Sequence, residues 1–187
     1  MPSDIELLYL GQTEALLRND SLRMRCLLTA QALNLPDWYL GAGFVRNAIW
    51  DHLHHKTEMT PLNDVDLVFF DPSDVSPERE QALQEQLIAS MPEINWEVRN
   101  QARMHEKHGH APYRSTAHGI AQWVEVPTCV GVRLEHDGRL TFCAPYGLRQ
   151  NWSLTIAINP CNRQPEIVQR RILEKKWLKL WPHLHLI

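Results

Sequence analysis

In the stretch Trp38–Asp71, WYLGAGFVRNAIWDHLHHKTEMTPLNDVDLVFFD, a short apolar strand of Trp38, Tyr39 and Leu40 runs into Gly41-Ala42-Gly43. A helix pattern follows, with Phe44, Val45, Ala48, Ile49 and Trp50 on its apolar side and Arg46 and Asn47 beside them. After a polar loop, Val65 to Phe70 reads as a fully buried strand. Asp64 and Asp66 stand at its mouth. Residues two apart on a strand share a face, so both carboxylates aim at one spot. A glycine turn that opens a helix offers free backbone N–H groups to an anion. Paired carboxylates offer hard oxygen ligands to Mg²⁺. Together they point to a site for a metal-bound polyphosphate.

Outward from this stretch, residues 4–18 carry apolar positions at helical spacing, with Ser3 or Asp4 as N-cap and Gly11 as a weak point that could divide the segment in two. Ser21 to about Asn34 is a second helix, ended by Pro36. On the other side, Ser76-Pro77-Glu78 opens a helix with proline at its first position, running to about Ser90. Ile94–Val98 is a strand with Ile94, Trp96 and Val98 on one face and Asn95 and Glu97 on the other. This alternation favours an α/β (α+β) fold, a small mixed sheet flanked by helices. The polar, histidine-rich block 99–125 contains a short helix near 101–107 and another from Ser115 to Trp123. Thr128–Leu134 is a strand, and Asp137-Gly138 is the turn of a hairpin. Tyr146–Trp152 is a loop or short helix. One basic amphipathic helix runs from about Pro165 to Trp181. The whole of 1–187 reads as a single domain, with the core motifs in 38–100 and an extension, the added hairpin and helix, in 101–187.

A net charge of −3 gives no general attraction to nucleic acid. Cys26, Cys129, Cys143 and Cys161 form no C-x-x-C pair and read as buried thiols of a reducing compartment. The N-terminus MPSDIELLYL lacks a basic region followed by a long apolar run, so no signal peptide is expected. No apolar run is long enough to span a bilayer. The expected setting is the cytoplasm, away from any membrane.

In phosphoryl or nucleotidyl transfer, the protein mostly positions the triphosphate and neutralises charge, with carboxylate-held metals between attacking and leaving oxygens. Gly41, Ala42 and Gly43, followed by Arg46, can supply the phosphate cradle. Asp64 and Asp66 can supply two acids, and Glu97 is the candidate for the third. These residues, a glycine pair opening a helix and then an acid–apolar–acid triplet on the next strand, resemble the nucleotidyltransferase superfamily that includes DNA polymerase beta, poly(A) polymerases and CCA-adding enzymes. The run GAGFVRNAIWDHL is similar to the G-G-x-V-R-D segment of the CCA-adding branch, with Val45 and Arg46 matching and Asn47 in place of its acid. Over roughly residues 20–180, the segments NQARMHEKHG, PYRSTAHGIAQW, TCVGVRLEHDGRL and APYGL resemble a bacterial nucleotidyltransferase-like family. Two departures stand out. Ala42 occupies the second glycine position, and about twenty residues separate Gly43 from Asp64.

Each of these residues also has a plain structural reading: a tight strand-to-helix turn at Gly41 and Gly43, solvated faces for Arg46 and Glu97, a strand-entry turn at Asp64 and Asp66. Two acids on one face repel unless a cation compensates them, and Asp is disfavoured in strands, which supports the metal site. His105, His108 and His110 have spacings that could hold zinc, but no cysteine or acid completes a zinc pattern. Asn100, Arg103 and His105 are instead expected to line the substrate cleft. The last helix reads as packing with a solvated basic face; an RNA-contacting or membrane-surface face is the alternative. The resemblance implies an enzyme moving a nucleoside monophosphate from an NTP to an acceptor, whether small molecule, protein or RNA. Mg²⁺ or Mn²⁺ would be its cofactor, held by Asp64, Asp66 and Glu97. The alternative is an inactive nucleotide-binding or protein-interaction module on the same scaffold.

Overall fold

Val65, Leu67, Val68 and Phe69 are apolar and buried, and the fold sets their strand between two others of the sheet. A computed structural model describes residues 2–187. Five strands are ordered β3-β2-β1-β4-β5: β1 (Tyr39–Gly41), β2 (Val65–Phe69), β3 (Trp96–Asn100), β4 (Gly131–Leu134) and β5 (Leu140–Cys143). β2 and β3 are parallel, and the other neighbours are antiparallel. A parallel pair needs a crossover, here α4 (Pro77–Ser90), capped by Ser76, whose hydroxyl accepts from the Arg79 amide. The sheet is mixed, as the sequence pattern indicated.

Strand alternation divides the sheet into two unlike faces. Leu40, Leu67, Phe69, Trp96, Val98 and Val132 join the main core. Packed against them are α1 (Asp4–Arg18), α2 (Ser21–Gln31), α3 (Gly43–Leu53) and α4. Gly11 leaves α1 in one piece: a Cβ there would meet nothing, so the glycine sits on an open face and costs only propensity. The other face carries Gly41, Asp66 and Val68, with Glu97 and Arg99 alongside. It is covered only in part, by α6 (Thr116–Ile120) and the turn of 3₁₀ helix at Val126–Thr128, through contacts of Tyr39 and Val68 with Ile120 and Cys129. Covering one end and leaving the other open is what makes room for a site.

The C-terminal part departs from the sequence reading. One helix over Pro165–Trp181 is replaced by α8 (Pro165–Glu174) and α9 (Trp177–Leu180), separated at Lys175 and Lys176, where Lys176 takes a left-handed φ of 53°. The reason is packing. At 3.6 residues per turn, Val168 and Trp177 would lie on opposite sides of a straight helix. The break lets Val168, Ile172, Trp177 and Trp181 converge on Trp50 of α3. Trp50 meets Trp177 and Trp181 edge-on, with ring centroids 5.3 and 5.1 Å apart. The Trp181 indole donates to buried Asp51 at 2.7 Å. The chain end adds β7 (His185–Leu186) beside β6 (Thr155–Ile156). The strand expected from Thr128 starts at Gly131, and the helix expected over Ser115–Trp123 is the shorter α6. A short α5 (Gln101–His108) and α7 (Arg149–Trp152) complete the chain. All four cysteines are free, three buried and Cys161 exposed, which corrects the expectation for that residue.

If the tryptophan cluster holds the C-terminal segment to α3, Trp177→Ala should cost about 3–5 kcal/mol, the range for emptying a buried aromatic site. Urea unfolding checks this; a loss well under 1 kcal/mol would mean that the segment is not part of the cooperative core.

Candidate active site

Three local geometries meet at the open end of the sheet. The first is the turn from β1 into α3. Ala42 caps the helix with φ 55° and ψ −123°, a conformation that side-chain-bearing residues rarely adopt, and no side chain bonds to the first-turn amides. Its N–H donates to the Val130 carbonyl at 2.9 Å, and its carbonyl accepts from Arg46 at 3.0 Å, so the turn is held from both sides. Gly41 has no room for a side chain, since a Cβ would lie 2.7 Å from the Trp123 ring. Gly43 is tight too, its Cβ position lying 3.3 Å from the Arg46 guanidinium and the Asn47 amide. The result is the end of an 11-residue helix whose positive dipole and unbonded amides face outward without a side-chain cap.

The second geometry is the acid group. Gly41, Asp66 and Glu97 are neighbours across three strands, through the Gly41–Asp66 and Asp66–Glu97 registers. Asp64 precedes β2 and lies 4.0 Å from the Lys175 ammonium. The Asp66 carboxyl is pushed up to about 7, by burial first and then by the charges of Asp64 and Glu97, against the pull of Lys175 and Arg46. The Glu97 carboxylate lies 3.7 Å from the Arg99 guanidinium. Among the described residues, no group of three or more His, Cys, Asp or Glu side chains is arranged to hold a metal ion. This leaves Asp64 and Asp66 as the candidate pair, and His105, His108 and His110 make no zinc site.

The third is a buried lattice of charge behind the turn. Arg46 is 4% exposed, which sets aside the alternative of a solvated helix residue. Its guanidinium lies between the Trp50 and Trp177 rings at 4.9 and 4.3 Å and donates to Thr128 Oγ1 at 2.6 Å. Burial lowers it to about 10, while Glu125, Asp66 and Asp64 help to keep it charged. Glu125 is fully buried and accepts from Arg171 of α8. Two cavities open here. One, about 330 Å³, runs from Ala42, Gly43 and Asn47 past Asp64, Asp66 and Glu97 to Arg171 and Lys175. The other, about 350 Å³, extends along the sheet between α5, α6 and α8. They share Ala42, Asp66 and Arg171, so they meet at the acids.

The fold has known counterparts. A nucleotidyltransferase family model matches residues 28–186. The chain belongs to that nucleotidyltransferase family. A protein solved by NMR, whose structure is described as revealing a CCA-adding enzyme head domain, is 31% identical. The match covers 93% of this chain and 95% of that one, with a TM-score of 0.81. A structure of a tRNA-processing enzyme complex shares the fold at 16% identity and a TM-score of 0.51, over 82% of this chain and 41% of that one. No protein of curated function matches the chain significantly.

Within this nucleotidyltransferase fold, the remaining sequence expectations fare differently. Asn100, Arg103 and His105 line neither cavity. Asn100 is buried as the cap of α5, its side chain bonding to Ala102, Asp71 and Asp74. Arg103 pairs with buried Glu80 at 2.6 Å. His105 packs edge-on against Tyr113. All three serve the packing of α5, whose neighbouring Arg99, Gln101, Met104 and Lys107 face the cavity instead. Sequence reasoning missed Arg171 and Lys175, because a continuous basic helix would have put them in solvent. The signal was the misfit between the Val168–Ile172 and Trp177–Trp181 pairs.

The raised Asp66 fixes the sign of a pH effect. Its folded value of about 7 lies above the ordinary 3.8, so the folded state holds the proton more firmly. The folded state therefore loses stability from this group as pH rises through that interval and bears the full cost above it. Without metal, Asp66→Asn should therefore melt no lower than the parent at pH 8, and any advantage should fade towards pH 4 or below. Thermal unfolding across this range checks it; strong destabilisation at pH 8 would make Asp66 a structural residue.

Proposed function

We propose that this chain moves a nucleoside monophosphate from an NTP to a hydroxyl-bearing acceptor, with Mg²⁺ or Mn²⁺ as cofactor. The observation that carries this reading is the crowding of Asp64 and Asp66 beside an uncapped helix N-terminus. The donor set suits a hard divalent cation: Asp64 and Asp66 line one cavity, and the repulsion that adds to burial in raising Asp66 is what such a cation would relieve. Asp64 and Asp66 would hold it, with Glu97 as a third acid. Bound there, it would neutralise triphosphate charge and acidify the acceptor hydroxyl.

The other roles fall to the chain itself. The amides at Gly43, backed by the helix dipole, would receive the non-transferred phosphates of the NTP. Lys175 and Arg171 line the same cavity and would oppose their charge from the other wall. Arg46, fixed between two indoles, acts as a permanent positive background that costs no reorganisation during transfer. Glu97, half-exposed and in register with Asp66, would take the acceptor's proton. The four free thiols suit the reducing setting of a cytoplasm. Among the described residues, no helix is long and apolar enough to cross a membrane. A second reading, a nucleotide-binding module without catalysis, is favoured by one feature: Glu97 lies within reach of Arg99 and is not in a preset three-acid group.

The test is to incubate the protein with α-labelled NTPs, Mg²⁺ or Mn²⁺ and a cell extract. Transfer of label to an acceptor is expected, falling by at least about 100-fold in Asp66→Asn, the scale for losing a group that stabilises transition-state charge. Equal transfer by parent and variant would contradict the assignment. Nucleotide binding by the parent without transfer would favour the second reading.

A further inference from the structure

The cavity between α5, α6 and α8 meets the phosphate cradle at Ala42 and Arg171 and extends away from it, opening onto the same acid. Its position is informative once nucleotidyl transfer, as proposed above, is taken as the reaction, and the inference rests on that reading. In-line displacement puts the attacking and leaving oxygens on opposite sides of the phosphorus. The leaving phosphates belong at the α3 N-terminus, so the attacking hydroxyl must come from the other side of Asp66. That is where this cavity lies. We infer that it is the acceptor subsite, and that it takes a small hydroxyl-bearing anion, a phosphate or carboxylate compound of sugar size.

Volume, lining and charge each bear on the class of acceptor. About 350 Å³ falls at the small-molecule end of binding cavities. Apart from Asp66, the lining has Arg99, Lys107 and Arg171 against the single carboxylate of Glu125, which is already bonded to Arg171. Lys107, exposed at the end of α5, has no acidic partner among the described residues lining the cavity. Buried Tyr113 and half-buried Trp123 supply flat walls for a carbon skeleton. A nucleic-acid strand is the poorer fit. Strand binding draws on many phosphate contacts, whereas here Arg99 and Arg171 have acidic neighbours and the chain carries a net charge of −3.

The experiment is a ¹⁵N-resolved NMR titration of the full chain, in three arms. Glucose 6-phosphate and ribose 5-phosphate probe the phosphate class, gluconate the carboxylate class, and glucose is the uncharged control; a short RNA with a free 3′-hydroxyl is the competitor. At least one anion should shift the amides of Lys107 and Gln122 and bind about tenfold more tightly than glucose. Lys107→Ala, a surface change, should weaken that anion about tenfold, the scale of one charge-assisted hydrogen bond. A non-hydrolysable ATP analogue with Mg²⁺, which should shift amides near Gly43, serves as the separate check on the nucleotide site. Tighter binding of RNA than of every anion, equal binding of glucose, or an unaffected Lys107→Ala would each overturn the inference. An analogue that binds while no anion does would sink this cavity assignment alone. Anion binding without analogue binding would leave an anion site here but remove the transferase reading and, with it, the acceptor role.

Discussion

Two aspartates, one on β2 and one just before it, partly out of water and beside a third acid, set the terms for the rest of the structure. Burial first, and then the repulsion of its acidic neighbours, raises the Asp66 carboxyl. The fold offsets this by surrounding the acids with fixed positive charge. The N-terminus of α3 lines the same cavity as the acids, Arg46 stands behind the turn, Lys175 lies 4.0 Å from Asp64, and Arg171 sits where the two cavities meet. Of these, Arg46 is the least replaceable. A buried arginine is tolerable only with partners, and it has them in Thr128, Asn47 and two indole faces.

The same residues join core to site. Trp50 belongs to α3, the helix that presents the cradle, and it is the anchor onto which Trp177 and Trp181 close. Docking the C-terminal segment therefore does two things at once: it buries the outer side of α3 and carries Lys175 and Arg171 to the acids. The left-handed backbone at Lys176 allows both. Stability and positioning are coupled here, because a looser tryptophan cluster would also release the cationic wall.

Much of this was legible in the sequence. The strand–turn–helix of Tyr39–Leu53 and the buried run Val65–Phe69 follow from apolar patterning and glycine punctuation, because those segments are decided by local preference and burial. The polar face of the strand expected at Ile94–Val98 singled out Glu97, but neither its parallel pairing beside Asp66 nor the strand's shift to Trp96–Asn100 was legible, since both depend on a neighbouring strand. Residues whose roles depend on distant partners were not legible. Arg46 read as a cradle residue with a solvated helix position as the alternative, because nothing local announces that Trp177 will close over it. Asn100, Arg103 and His105 looked like cleft residues because their polarity is spent on α5 and on Glu80, a partner from another helix. The histidines of the 105–110 segment drew attention by their spacing, and they pack against one another and Tyr113.

The central claim is that Asp64 and Asp66 jointly hold a divalent ion at the mouth of the α3 turn. Mn²⁺ is paramagnetic and broadens the NMR signals of nuclei close to it. Titrating it into the ¹⁵N-labelled protein with a non-hydrolysable ATP analogue should selectively erase the amide signals of Gly43, Asp64 and Asp66, and Mg²⁺ in excess should restore them. Loss of signal centred on the histidines of α5, or spread evenly over the surface, would contradict the account.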